Sequence, residues 1–203
     1  MSAAGELWDW RRRVAALYAA VRAEPDPAQA WRLWCETRRT LFRTHGQSPV
    51  ETAVRAAYTG PHVYPYDPAL RFTVALEDAV ADRLDVPAGG DGVVRASAFA
   101  RTVGLRERLG RELTLYWIEG YGGGAFLPFA DATSGGETYG AGRYLLDTIK
   151  GADLGTLPDG RLVLDFNFAY APSCAYSPRY VCPLAPPGNR LPAADRAGER
   201  VGP

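Results

Sequence analysis

Apolar residues recur every three or four positions over the opening stretch of the chain. Leu7, Trp10, Val14, Leu17, Tyr18 and Val21 fall on one stripe, which predicts a helix that Glu24-Pro25 closes. A second helix begins at once. Asp26 suits the N-cap, Pro27 the first helical position, and Gln29, three residues after the cap, fits a capping box. Its stripe runs Trp31, Trp34, Cys35, Leu41, Phe42. Arg38 lies on that same stripe, so its guanidinium either snorkels outward or meets a carboxylate or a ligand inside. His45-Gly46-Gln47 reads as a tight corner, and Ser48-Pro49-Val50-Glu51 repeats the capping signature before a short third helix.

From residue 68 onward the period changes to two. Leu70, Phe72, Val74 and Leu76 alternate with Arg71, Thr73, Ala75 and Glu77, as in a strand with one buried face. A turn at Gly89–Gly92 leads to a strand within Val93–Val103. Leu113, Leu115 and Trp117 then alternate with Glu112, Thr114 and Tyr116, and Tyr121–Gly124 turns the chain. Phe126–Phe129, Arg143–Ile149 and Arg161–Ala169 supply three more strands. On the last of these, Asp165 and Asn167 project together, where they hold a neighbouring loop or orient a ligand. Residues 170–192 are rich in proline and tyrosine; the prolines predict an irregular path, and the aromatics an ordered strap across the sheet.

The expected fold is α+β, with N-terminal helices packed on a mainly antiparallel sheet curled into a roll or barrel, and an irregular Pro/Tyr-rich C-terminal strap. The expected organisation is one domain, 1–203, in which residues 1–60 are helical, 61–169 form the sheet and 170–203 the strap.

Charge and cysteine usage narrow the function. With 23 basic and 23 acidic side chains the chain has no net field for nucleic acid or anionic lipid, so neither is an expected partner. No apolar run approaches a spanning helix and no leader pattern is visible, which predicts a cytoplasmic protein. Cys35, Cys174 and Cys182 match neither a paired disulfide framework nor a metal knuckle. With only His45 or His62 to join them, no metal site is expected, and no cofactor is named.

The chemistry concentrates in residues 126–144, which place Asp131, Thr133, Ser134, Glu137, Thr138, Tyr139 and Arg143 among Gly135, Gly136, Gly140 and Gly142. Glycine permits positive φ and close approach, while the interleaved side chains supply donors, acceptors and both charges. A phosphate-loop reading fails, because the glycines connect strands and match neither nucleotide-binding spacing.

The motif Pro-Phe-x-Asp-x-Thr-Ser-Gly-x-Glu-Thr-Tyr-x-x-Gly-Arg-Tyr, here Pro128–Tyr144, resembles one carried by a prokaryotic family. So do the segments Asp165–Tyr176 and Cys182–Asn189, the His45–Pro49 corner and Ala197–Glu199. On these residues the chain resembles the family catalogued as domain of unknown function sixteen eighty-four. Ala171 departs from it, standing where the pattern has asparagine. The resemblance implies no reaction.

The favoured reading is therefore binding of a small polar or anionic molecule in a pocket built by the loop 131–143 and the strap. Its candidate ligand-binding residues are Arg38, Asp131, Thr133, Ser134, Glu137, Tyr139, Arg143, Asp165 and Asn167. A hydrolase or transferase would instead use Cys174 or Ser134 as nucleophile and His45 as base, with Asp131 or Asp165 orienting the imidazole. A third reading makes the strap a protein-docking surface without catalysis.

Overall fold

In the computed structural model residues 2–87, 92–181 and 183–202 are described; most of the Gly89–Gly92 turn and Cys182 lie outside them. Two long helices, α1 (Ala3–Ala23) and α2 (Pro27–Thr44), form where the apolar spacing predicts them. Asp26 caps α2, its carboxylate accepting the Ala28 amide at 2.9 Å. The Asp26 amide donates to Glu24 at 3.0 Å, so the cap is completed by Glu24 and not by Gln29. The two helices meet around Trp34, which is fully buried and donates its Nε1 proton to the Tyr18 hydroxyl at 3.1 Å. Ser48 does not cap the short helix α3 (Thr52–Arg55). Its hydroxyl donates to the Phe42 carbonyl at 2.6 Å and accepts the Val50 amide at 3.1 Å, which pins the corner instead.

The strands are β1 (His62–Val63), β2 (Arg71–Asp78), β3 (Arg83–Pro87), β4 (Val93–Val103), β5 (Thr114–Ile118), β6 (Gly124–Phe129), β7 (Arg143–Asp147), β8 (Leu162–Asp165) and β9 (Glu199–Arg200). The main sheet runs β7-β6-β5-β4-β2-β8, antiparallel throughout, with β3 also on β4. Its two edges return to each other. Tyr144 in β7 and Tyr170, just beyond β8, exchange backbone hydrogen bonds of 2.9 and 3.1 Å, and the sheet becomes a nearly closed barrel. The interior is filled by Val74, Leu115, Leu127, Phe129, Leu164 and Phe166. The helices cover the outside of the β6–β7 wall, where Leu17, Tyr18, Val21 and Trp34 pack on Phe126, Tyr144, Phe168 and Tyr170.

Alternation is broken in three places. The buried face of β2 stops at Val74, leaving Leu76 exposed. Trp117 points outward, 46% exposed, and meets Phe99 edge-on at 6.3 Å, while Tyr116 turns inward and donates to Asp82 at 3.0 Å. A register shift in β4 between Ala98 and Ala100 accompanies this reversal. The strands expected at Arg143–Ile149 and Arg161–Ala169 end early in single 3-10 turns. Asp147 and Asp165 accept the amides of Lys150 and Asn167 at 3.2 and 3.0 Å, and this local bonding competes with the ladder.

The strap is irregular but held. Asn189, fully buried, donates to the carbonyls of Thr114 and Pro128 and accepts the Thr114 amide, all at 2.8 Å. Leu191 donates its amide to Ala130 at 2.8 Å, and β9 closes the chain against β1.

Candidate functional site

The glycine-rich segment folds into a self-braced loop between β6 and β7. Gly135 and Gly142 need positive φ, at +90° and +95°, and a Cβ on Gly142 would collide with the Phe129 carbonyl; Gly136 and Gly140 have no such need. The Asp131 carboxylate accepts the Thr133 amide at 2.7 Å, Thr133 and Thr138 join their hydroxyls at 2.9 Å, and the Ser134 hydroxyl accepts the Asp131 amide at 3.1 Å. Glu137 pairs with Arg196 at 2.7 Å and accepts the Tyr64 hydroxyl at 3.0 Å. Tyr139 is half-buried and its carbonyl accepts the Gly142 amide at 3.0 Å.

Arg143 organises the loop from inside. Only 1% exposed, it donates to Asp131 at 2.7 Å, to the carbonyls of Asp195 and Glu199 at 2.9 and 3.2 Å, and to the Ala197 carbonyl. Its guanidinium lies 5.1 Å from the centre of the Phe129 ring. These bonds fasten residues 195–199 of the strap to the loop. Asp195 beside it is fully buried, with one oxygen 3.7 Å from Arg143 and neither carboxylate oxygen hydrogen-bonded among the described residues. Burial pushes its pKa up to about 7.

Asp165 and Asn167 do stand together, and they hold a loop. Asn167 accepts the Asp67 amide and donates to the Asp67 carbonyl, both at 2.8 Å, and donates to Asp165 at 2.7 Å. Asp165 also pairs with Arg71 at 3.4 Å. His45 has both ring nitrogens engaged at the α1–α2 corner, with Asp9 at 3.1 Å and the Gln47 amide at 3.0 Å. Cys174 is disulfide-bonded, which corrects its reading as a candidate nucleophile, because no thiol is left there to attack a carbonyl. Cys35 is a free thiol, and burial raises its pKa to about 12. The nucleophile and base candidates therefore sit in separate local networks.

Arg38 is the candidate that opens onto a cavity. Its Nε and Nη2 both donate to one oxygen of the buried Glu199 carboxylate, the Nε at 2.9 Å. The other Glu199 oxygen accepts the Ala171 amide at 2.8 Å and the Tyr176 hydroxyl at 2.7 Å, so Glu199 is fully used. The guanidinium stacks among Trp34, Phe42 and Tyr170 at 4.8–5.1 Å, and Nη1 donates to no partner among the described residues. Burial opposes its charge, but Glu199 more than offsets this, and the pKa rises. Burial, followed by Glu199, holds the Tyr176 phenol neutral, its pKa well above the ordinary value.

In front of Arg38 lies an inner chamber of about 70 Å³, walled by Trp10, Val14 and Tyr18 of α1, Phe42 of α2, Tyr144 of β7, and Tyr170, Ala171 and Tyr176. An outer chamber of about 310 Å³ adjoins it, lined further out by Leu7, Arg11, Gln47, Tyr180, Val181 and Pro183. The chambers share Trp10, Pro49, Tyr144, Lys150, Pro172 and Ser173. None of residues 131–143 lines either chamber. The expected pocket wall is thus displaced from the loop to the seam between helices and strap, and the loop stands behind it through Arg143 and the strap. Trp10, Tyr144, Lys150 and Tyr170 were missed as cleft residues, and Glu199 as the partner of Arg38 behind them. Lys150, the single lysine in the chain, was the visible signal.

The molecule is thus an α+β protein with a nearly closed antiparallel barrel and a cleft between its helices and C-terminal strap. The chain belongs to the family described as Protein of unknown function (DUF1684), whose model matches residues 56–200. It is similar to an uncharacterised protein of Haloarcula marismortui solved by solution NMR, at 29% identity and a TM-score of 0.58, covering 85% of this chain and 95% of that one. No curated protein matches it. Among the described residues no helix is long and apolar enough to cross a membrane.

Proposed function

We propose that the protein binds a small anionic molecule with an apolar body in the cleft in front of Arg38. The observation that carries this is the charge of the walls. The two chambers are lined by Arg38, Lys150 and Arg11, and by no carboxylate among the described residues. The acidic partners stand behind: Glu199 spends every acceptor on Arg38, Ala171 and Tyr176, and Asp147 takes the Lys150 ammonium at 2.6 Å from the side. Spare donors then remain on Arg38 Nη1 and on Lys150, while the rings of Trp10, Phe42, Tyr144 and Tyr170 offer apolar surface. Buried polar groups fix orientation in such a cleft and apolar walls supply most of the affinity.

The test is a thermal-shift screen of aryl and alkyl carboxylates against matched amines, followed by calorimetry. Carboxylates are expected to raise the melting temperature where amines do not. Trp10→Ala and Lys150→Gln should each weaken binding about tenfold or more, as expected for loss of a buried aromatic contact or a charge-assisted bond. Unchanged affinity in both variants would exclude this cleft.

A further inference from the structure

The shape of the cleft says more about its occupant than its charge does, and this deepening rests on the binding reading above. Two chambers of unequal character are joined end to end. The inner one is narrow and aromatic, and the Arg38 guanidinium is its one cationic wall apart from Lys150 at the junction. The outer one is more than four times larger, and Leu7 and Val181 line it while remaining 41% and 54% exposed. Leu7, Val181 and Pro183 give this mouth apolar surface against which a hydrocarbon can be buried.

A carboxylate suits the inner end. Arg38 is already held in place by Glu199 and by three rings, so a ligand bond to Nη1 requires little reordering of the side chain. The space of about 70 Å³ admits a head group with a few carbons. Beyond it the outer chamber shares Trp10, Pro172 and Lys150 with the inner one and adds Leu7, Val181 and Pro183. Arg11, Gln47 and Tyr180 line the outer chamber as well, so the tail is assigned to its Leu7, Val181 and Pro183 side. An alkyl chain would bury methylenes against it.

We infer that the ligand is an amphipathic monocarboxylate, a medium-length alkyl or arylalkyl acid, bound with its carboxylate inward at Arg38 and Lys150 and its tail outward over Leu7 and Val181.

The experiment is calorimetric titration of the full chain with straight-chain acids from butanoate to decanoate, and with the matching 1-alkanols. Affinity is expected to rise roughly threefold to fourfold per added methylene, the increment of a buried CH₂. Alkanols should bind at least tenfold more weakly than acids of the same length. Arg38→Lys, which keeps a cation against Glu199 but removes the spare fork donor, should weaken every acid about tenfold; Lys150→Gln, on an exposed stem, provides the same test if the first variant does not fold. Val181→Ser should weaken decanoate at least fivefold more than it weakens butanoate. Equal binding of acids and alkanols would overturn the inward carboxylate, and an affinity flat with chain length would overturn the outward tail. Either result would leave cleft binding standing, provided that the ligands still compete with an aryl carboxylate. If no carboxylate of any length or ring type binds, both this inference and the reading beneath it fail.

Discussion

Arg143 and Asp195 show how much of the conspicuous chemistry in this chain is structural. Arg143 is a buried cation surrounded by Asp131 and three strap carbonyls, so its removal leaves a carboxylate and several acceptors unpaired. Arg143→Ala is expected to cost about 3 kcal/mol or more in urea denaturation, and Arg143→Lys to restore little, because one ammonium cannot span the four acceptors. A ligand-anchoring arginine would behave differently, losing affinity with stability intact. Asp195 predicts a pH signature. Its ordinary pKa of 3.8 is raised to about 7 in the folded chain, chiefly by burial. Below pH 4 it is protonated whether folded or not; between pH 4 and 7 the folded state holds the proton that the unfolded state has lost, so stability falls as pH rises through that window. The loss totals on the order of a few kcal/mol by pH 7. Asp195→Asn should flatten the stability profile over this window and give the more stable protein above pH 7. A parallel pair of profiles would remove Asp195 as the cause.

At the scale of elements, the two long helices were legible from their apolar stripes, and β6, β7 and β8 from short apolar runs, which the barrel buries on both faces. Their ends were less so. Asp147 and Asp165 stop β7 and β8 through their own side chains, which no apolar period reveals. The strap was recognisable as ordered from its aromatics, but its attachments were not, since Asn189 meets Thr114 and Pro128 across long sequence separations. Asn189→Ala removes three hydrogen bonds to the backbone of Thr114 and Pro128 and is expected to cost about 3 kcal/mol, with early loss of amide-exchange protection at Leu191. Protection at Leu191 unchanged from the wild type would show that the strap is held elsewhere. The disulfide at Cys174 was illegible for another reason: cysteine spacing alone does not fix pairing. Such bonds persist mainly in oxidising compartments, so the expectation of a cytoplasmic location gains no support from it.

For the whole molecule, the polar loop 131–143 and the cavity in front of Arg38 lie in different layers. Residues 131–143 combine charge, hydroxyls and glycine, and the structure uses them to fasten the strap to the barrel. The cleft comes together only in the fold, from one face of α1, one of α2, the edge of β7 and the strap, and Arg38 alone among the expected ligand residues lines it. Arg38 was ambiguous in the sequence because its partner Glu199 lies 161 residues away. Ala171, the departure from the family pattern, lines the same cavity and donates its amide to Glu199.

Because the chain has a single lysine, at the junction of the two chambers, its acylation reports directly on whether the cleft is filled. The decisive measurement is the rate of Lys150 modification by an amine-directed reagent, read by peptide mass spectrometry with and without a saturating carboxylate that raises the melting temperature. Binding in front of Arg38 predicts at least a fivefold slowing at Lys150 while the α-amino group reacts at its original rate. An unchanged Lys150 rate under saturating ligand would place the ligand elsewhere and contradict the assignment of this cleft.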